Sequence, residues 1–122
     1  MKLARWIYLV AGLYGLVVLT PMLFAGPTMP DGDPAAPYAA FFYGFAGTAL
    51  VWQLAFLLIA TDPARYRLLM LVTIGEKIAF FAPGLALYLA GRMSQGPLFY
   101  GSLIDGALMI AFAIAWWSTR AR

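Results

Sequence analysis

The chain contains no cysteine and no histidine among its 122 residues, and only 11% of its residues are charged. Without those two residue types there is no disulfide framework, Cys/His zinc site, His-ligated haem, thiolate nucleophile or Ser-His-Asp triad. Soluble domains carry roughly 25% charged and roughly 45–50% apolar residues, whereas this chain is 64% apolar. The composition excludes most familiar catalysis and intrinsic disorder, and it favours a membrane protein.

Four apolar runs occupy most of the chain, at about residues 3–24, 38–60, 68–90 and 98–117. A helix needs about 20 residues to cross a hydrocarbon core of about 30 Å, and it satisfies its own backbone amides inside lipid. We therefore predict an all-α, integral membrane four-helix bundle. We expect residues 1–122 to form one transmembrane domain, with no soluble domain.

The distribution of positive charge predicts how the chain is oriented. Six cations lie before the first span, between the second and third spans, or after the fourth: Lys2, Arg5, Arg65, Arg67, Arg120 and Arg122. The other two connections carry only Arg92. By the positive-inside rule, we expect both termini to be cytoplasmic. We also expect the first run to be an uncleaved span, because it is longer than the apolar core of a signal peptide. The net charge of +3 then marks topology and requires no nucleic acid.

Aromatic residues near the ends of the spans are typical of anchors at the two membrane interfaces. We assign five of them to the cytoplasmic interface: Trp6, Tyr8, Tyr66, Trp116 and Trp117. Five more are assigned to the opposite interface: Tyr38, Tyr43, Tyr88, Phe99 and Tyr100.

Small residues recur at helical spacing in three of the spans and predict close contacts between helices, because backbones approach closely where side chains are small. The rows are Gly12 with Gly15, then Ala40, Gly44 and Thr48, then Ser102 with Gly106, whose row continues to the larger Ile110. They either seal the bundle or face a second copy of the chain, and the spacing does not distinguish these. Pro83 is expected to kink the third span.

Polar side chains lie deep within the predicted spans. Counting about 1.5 Å per residue from each cytoplasmic end puts Gln53 at about 10 Å, Glu76 at about 13 Å and Lys77 at about 15 Å. Asp105 comes to about 18 Å and Tyr14 to about 16 Å on the same scale. An ionisable group at mid-bilayer costs about 2.5–3.5 kcal/mol, so these groups should avoid lipid. We predict one polar layer to which all four helices contribute.

The residues of this layer suggest specific pairs. Glu76 and Lys77 are adjacent, hence about 100° apart around a helix, so we expect each to have its own partner. We predict an ion pair between Lys77 and Asp105, and hydrogen bonds joining Glu76 to Gln53 and Tyr14. Because the layer has one carboxylate more than it has cations, Glu76 is the candidate for taking up or releasing a proton. The layer serves either to fix helix register or to form a functional site.

Two connecting segments contain recognisable turn chemistry. Asp62 is placed to cap the third helix with Pro63 at its first position, which predicts a tight hairpin. The segment Asp31-Gly32-Asp33 lies between prolines and favours a turn, because the further oxygen ligands of a calcium loop are absent. We predict no metal site and no cofactor.

The chain resembles a group of small, functionally uncharacterised bacterial inner-membrane proteins with four helices, through Trp52-Gln53, Asp62-Pro63-Ala64-Arg65-Tyr66-Arg67, Glu76-Lys77 and Asp105. The resemblance covers Tyr38 to the C-terminus and implies a bacterial inner-membrane protein. It indicates no substrate or reaction. In architecture alone the chain also resembles DoxX-like proteins and the group of sterol isomerases and sigma-2 receptors. Small multidrug exporters are similar in length, but their essential Glu lies in the first helix, where this chain has no carboxylate.

Three functions are compatible with this pattern. The first is a protein that binds a lipid or an apolar small molecule in an intramembrane pocket, or that acts as an accessory subunit of a larger membrane complex. The second is a proton-coupled small-molecule transporter working as a homodimer, with Glu76 as the carrier. The third is an isomerase that uses Glu76 as general acid or base, for which the sequence offers no specific motif. A cavity at the polar layer favours a site, and a closely packed layer favours a structural role.

Overall fold

The computed structural model describes residues 2–26, 36–92 and 95–120. It contains the helices α1 (Lys2–Ala25), α2 (Ala36–Thr61), α3 (Arg67–Leu89) and α4 (Pro97–Ser118), and these residues form no strand. Each helix is long and apolar enough to cross a membrane. The predicted all-α class and the four helices are confirmed, with every helix end within two residues of its predicted position. The Asp31–Asp33 segment lies outside the described residues.

The helices pack as two hairpins, α1 against α2 and α3 against α4. The hairpins meet mainly through α1 and α4, whereas α2 and α3 touch at few places. Gly12 brings α1 and α2 together, since a Cβ there would lie 2.7 Å from Leu57 Cδ2 and 3.0 Å from the Gln53 carbonyl oxygen. Gly15 faces the Gln53 side chain in the same way. The prediction that these glycines make a helix contact is confirmed.

Small residues also bring α3 and α4 together. A Cβ on Gly84 would collide with Ser102, and one on Gly106 would lie 2.7 Å from the Phe81 ring. Ser102 and Gly106 therefore contact a neighbouring helix as predicted, whereas Ile110 is exposed. The helix α3 continues through Pro83 to its end at Leu89.

An aromatic cluster forms the core. The Tyr8 and Phe112 rings stack with centroids 4.3 Å apart, and Phe56 meets Phe112 edge-on at 5.0 Å. The Tyr8 hydroxyl lies 2.8 Å from Thr73 Oγ1 on α3, so the cluster joins all four helices. These residues lie in the half of the molecule that holds the start of α1, the turn at 62–66 and the end of α4. We call this the terminal half and the opposite half the cavity half.

Two aromatic residues predicted to be interface anchors are buried. Tyr8 has no exposed surface, because its ring stacks on Phe112. Phe99 is covered by Tyr88, with ring centroids 4.1 Å apart. A single ring near a span end looks the same in sequence whether it faces lipid or a neighbouring helix, which is why the prediction was wrong for these two.

Asp62 does not cap α3. The helix begins at Arg67 with Tyr66 at its N-cap position, and no side chain caps it. Asp62 instead closes the preceding turn, since its carboxylate accepts from the Arg65 amide at 3.4 Å and its carbonyl accepts from the Tyr66 amide at 3.2 Å. Pro63 is buried at the start of this turn. The tight connection is confirmed, but the turn is separate from the helix.

Candidate functional site

A cavity of about 730 Å³ lies between the two hairpins in the cavity half. All four helices line it, and its walls are mainly apolar. All five residues predicted to form the polar layer line this cavity: Tyr14, Gln53, Glu76, Lys77 and Asp105. The layer therefore borders open space on one side, and the Tyr8 and Phe56 core lies in the half beyond it.

The row Ala40, Gly44 and Thr48 lines this cavity. We expected the row to seal a helix contact or face a second copy, but no atom lies within 4 Å of a Cβ built on Gly44. The row faces the cavity because α2 and α3 meet at few points. The prediction of a packed seam within the bundle is wrong for this row.

Lys77 holds the two carboxylates of the layer together. Its Nζ lies 3.2 Å from Asp105 Oδ1 and 3.5 Å from Glu76 Oε1. The same ammonium lies 5.1 Å from the centroid of the Phe56 ring, which is favourable for a cation–π contact. The predicted pair of Lys77 with Asp105 is confirmed. The expectation that Glu76 has a separate partner is wrong, because the long lysine side chain brings its ammonium within reach of both carboxylates.

Gln53 is held by its own helix and by α1. Its Nε2 donates to the Ala49 carbonyl at 2.8 Å, and the missing side chain of Gly15 leaves room for its amide. Within the described ranges, neither Gln53 nor Tyr14 has a hydrogen bond to Glu76, so that part of the predicted network is wrong. Tyr14 is 40% exposed and forms part of the cavity wall.

The aromatic lining of the cavity was not identified from the sequence. Phe45 on α2 stacks on Phe80 of α3 with centroids 5.4 Å apart, which is one of the few contacts between these helices. Trp52 and Phe41 also line the cavity. Aromatic residues are frequent along all four spans, so the sequence holds no signal that separates these from residues facing lipid.

Two arginines close the C-terminal end of α4. Arg67 Nη2 donates to the Trp116 carbonyl at 3.0 Å, and its guanidinium lies 4.4 Å from the centroid of that Trp ring. Arg120 makes the same two contacts with Trp117, at 3.0 Å and 4.0 Å. Cations at this position offset the partial negative charge of the helix terminus. Arg67, at the start of α3, therefore packs on the end of α4.

No family model, curated protein or solved structure matches the chain. Among the residues that the structure describes, no group of three His, Cys, Asp or Glu side chains could hold a metal ion. The features of this chain that bear on its function are the cavity and its charged floor, which we define as Glu76, Lys77 and Asp105.

Proposed function

We propose that this chain is an integral membrane protein that binds a lipid or an apolar small molecule in the cavity between its hairpins. The observation that carries the proposal is the cavity of about 730 Å³, with apolar walls and a few convergent polar groups. Small-molecule sites are typically concave, mainly apolar and about 300–1,000 Å³ in volume, with a small number of polar groups that orient the ligand.

We further propose a bacterial inner membrane as the location, with both chain ends in the cytoplasm. This placement is supported by the cations at the terminal half, where Arg65, Arg67 and Arg120 lie beside aromatic rings. The cavity half then lies toward the outer leaflet. An apolar ligand reaches the cavity from that leaflet, between α2 and α3.

The test uses Trp52, which lines the cavity, as a fluorescent reporter. Bromine atoms quench a tryptophan on contact, so we titrate the purified protein in lipid nanodiscs with bromododecanol. Subtracting the signal of Trp52→Phe removes the contribution of the other three tryptophans. We expect Trp52 quenching to saturate. Quenching that rises linearly with the bromododecanol content of the lipid indicates only bulk contact and contradicts the proposal.

A matched pair of glycine variants controls for effects on the fold. A Cβ on either Gly44 or Gly75 meets no atom within 4 Å, but only Gly44 lines the cavity. Gly44→Leu should occupy part of the cavity and weaken bromododecanol binding by about tenfold or more, a change equivalent to about 1.4 kcal/mol. Gly75→Leu should leave binding unchanged. Equal effects of the two substitutions contradict a site in this cavity.

A homodimeric, proton-coupled transporter is the second candidate, because the Glu76 carboxylate lies at the cavity floor. Alternating access normally needs two structural repeats that move against each other, so four helices require a second copy. Single-molecule photobleaching in nanodiscs at low protein density measures the number of chains. A strictly monomeric protein contradicts this candidate and leaves the binding function intact.

A further inference from the structure

The floor of the cavity has an uneven distribution of charge. It contains the carboxylates of Glu76 and Asp105 and the ammonium of Lys77, which gives a formal charge of −1 when all three are ionised. The lysine side chain is only 6% exposed, whereas the Glu76 and Asp105 side chains are 18% and 20% exposed. The positive group is therefore covered and the negative groups are more accessible.

We propose that the preferred ligand is an amphiphile with a cationic head, such as a long-chain primary ammonium. This inference rests on the proposed binding function and specifies its ligand class. The head lies at Glu76 and Asp105, and the chain extends along the apolar wall beside Phe45 and Phe80. The lining of α2 from Ala40 to Gln53 offers about 20 Å for the chain.

Hydrogen-bonding capacity supports the same ligand class. Two ionised carboxylates offer four oxygens with about eight acceptor sites, whereas one lysine ammonium has three donors. Lys77 thus leaves acceptors for a second ammonium, which donates three hydrogen bonds of its own. That second ammonium also makes the floor electrically neutral. Neutralisation matters here because an uncompensated charge away from water is costly.

The experiment compares three probes that share one chain and differ in the head group. Bromododecylammonium, bromododecanol and bromododecanoate are titrated at neutral pH, with Trp52 quenching as the readout. Because a charge-assisted hydrogen bond is stronger than a neutral one, we expect the ammonium to bind about tenfold more tightly than the alcohol. The carboxylate should bind most weakly. The three probes are compared on the same protein, with the signal of Trp52→Phe subtracted as before, so the ranking does not depend on any change to the charged residues.

Variants that remove one negative charge then test whether Glu76 and Asp105 cause the preference for the ammonium over the alcohol. Asp105→Asn and Glu76→Gln each remove one negative charge with little change of shape, so the ammonium and the alcohol should bind within about twofold of each other. The alcohol carries no charge, so its own affinity should change less than that of the ammonium. Asp62→Asn is the matched control, since it makes the same chemical change in the turn at 62–66, away from the cavity. It should retain the full preference for the ammonium.

The outcomes separate this inference from the proposed function. Equal affinity for the ammonium and the alcohol in the unaltered protein overturns the cationic ligand and leaves the apolar binding site standing. A preference that persists in both Asp105→Asn and Glu76→Gln also overturns it, because the charge would then be recognised elsewhere. Saturable binding of none of the three probes contradicts the proposed function itself.

Discussion

Lys77 supplies the positive charge that both carboxylates of the polar layer share. It lies between Asp105 at 3.2 Å and Glu76 at 3.5 Å and is itself buried. A buried ion pair adds little net stability, but the removal of one partner leaves an uncompensated charge, which is expensive. Loss of Lys77 therefore leaves both carboxylates without a counter-ion, whereas loss of one carboxylate leaves Lys77 paired with the other.

We predict that Lys77→Met lowers the free energy of unfolding by about 3 kcal/mol or more, since two carboxylates then face each other unpaired. Asp105→Asn should cost less, because Lys77 keeps its contact with Glu76. Thermal unfolding of the purified protein in one detergent compares the two variants. A smaller loss in Lys77→Met than in Asp105→Asn shows that the lysine does not hold the layer together.

Tyr8 gives a second prediction for a single residue. Thr73 Oγ1 donates to the Met70 carbonyl at 2.7 Å, so its one hydrogen is used and the Tyr8 hydroxyl is the donor between Tyr8 and Thr73. Tyr8→Phe removes that donor but leaves the ring stack, so it should cost about 1 kcal/mol. Tyr38→Phe, at an exposed ring, should cost nothing measurable. Equal melting temperatures for the two variants contradict a stabilising role for the buried hydrogen bond.

At the scale of helices, the same small-residue spacing produces two different surfaces. Gly12 lies in the contact between α1 and α2, whereas Gly44 faces the cavity. Periodicity shows which residues share a face of a helix, but it does not show what that face meets. In a soluble protein burial would separate the two cases. In a membrane protein both lipid and a neighbouring helix are apolar, so this distinction is missing from the sequence.

The two glycines can be compared directly by the same substitution. Gly12→Ala places a methyl group 2.7 Å from Leu57 Cδ2 and 3.0 Å from the Gln53 carbonyl oxygen, so it should cost about 1–3 kcal/mol. Gly44→Ala meets no atom and should leave stability unchanged or raise it by up to about 1 kcal/mol through helix propensity. Thermal unfolding measures both. A Gly12→Ala protein as stable as Gly44→Ala contradicts the close approach of α1 and α2.

Over the whole molecule, the sequence predicts the number and limits of the helices well, because the thickness of the hydrocarbon core sets the length of a helix that crosses it. The ion pair between Lys77 and Asp105 was also predictable, since an intramembrane lysine requires an anion at similar depth. The cavity was not, because it arises from the sparse contact between α2 and α3. The second contact of Lys77, with Glu76, was not predictable either. It depends on how far the lysine side chain reaches and not on the positions of the two residues along the helix.

Orientation is tested with single cysteines, since the chain has none of its own. Gln95 lies between α3 and α4, and Ala64 lies in the turn at 62–66; both are exposed. In intact bacterial spheroplasts, a membrane-impermeant maleimide should label Gln95→Cys directly and Ala64→Cys only after permeabilisation. The reverse pattern places the chain ends outside, and equal labelling of both contradicts a single orientation.

The central claim is that the cavity half of the molecule is a binding site, and photolabelling tests it most directly. Dodecanol carrying a diazirine is activated in nanodiscs, and the labelled residues are mapped by mass spectrometry with and without excess dodecanol. We predict that dodecanol suppresses labelling at Trp52, Phe80 and Leu108, which line the cavity and are half-buried, but not at Phe24 and Leu68, which are exposed and lie outside it. Labelling that is equally insensitive to dodecanol at all five residues would contradict the claim.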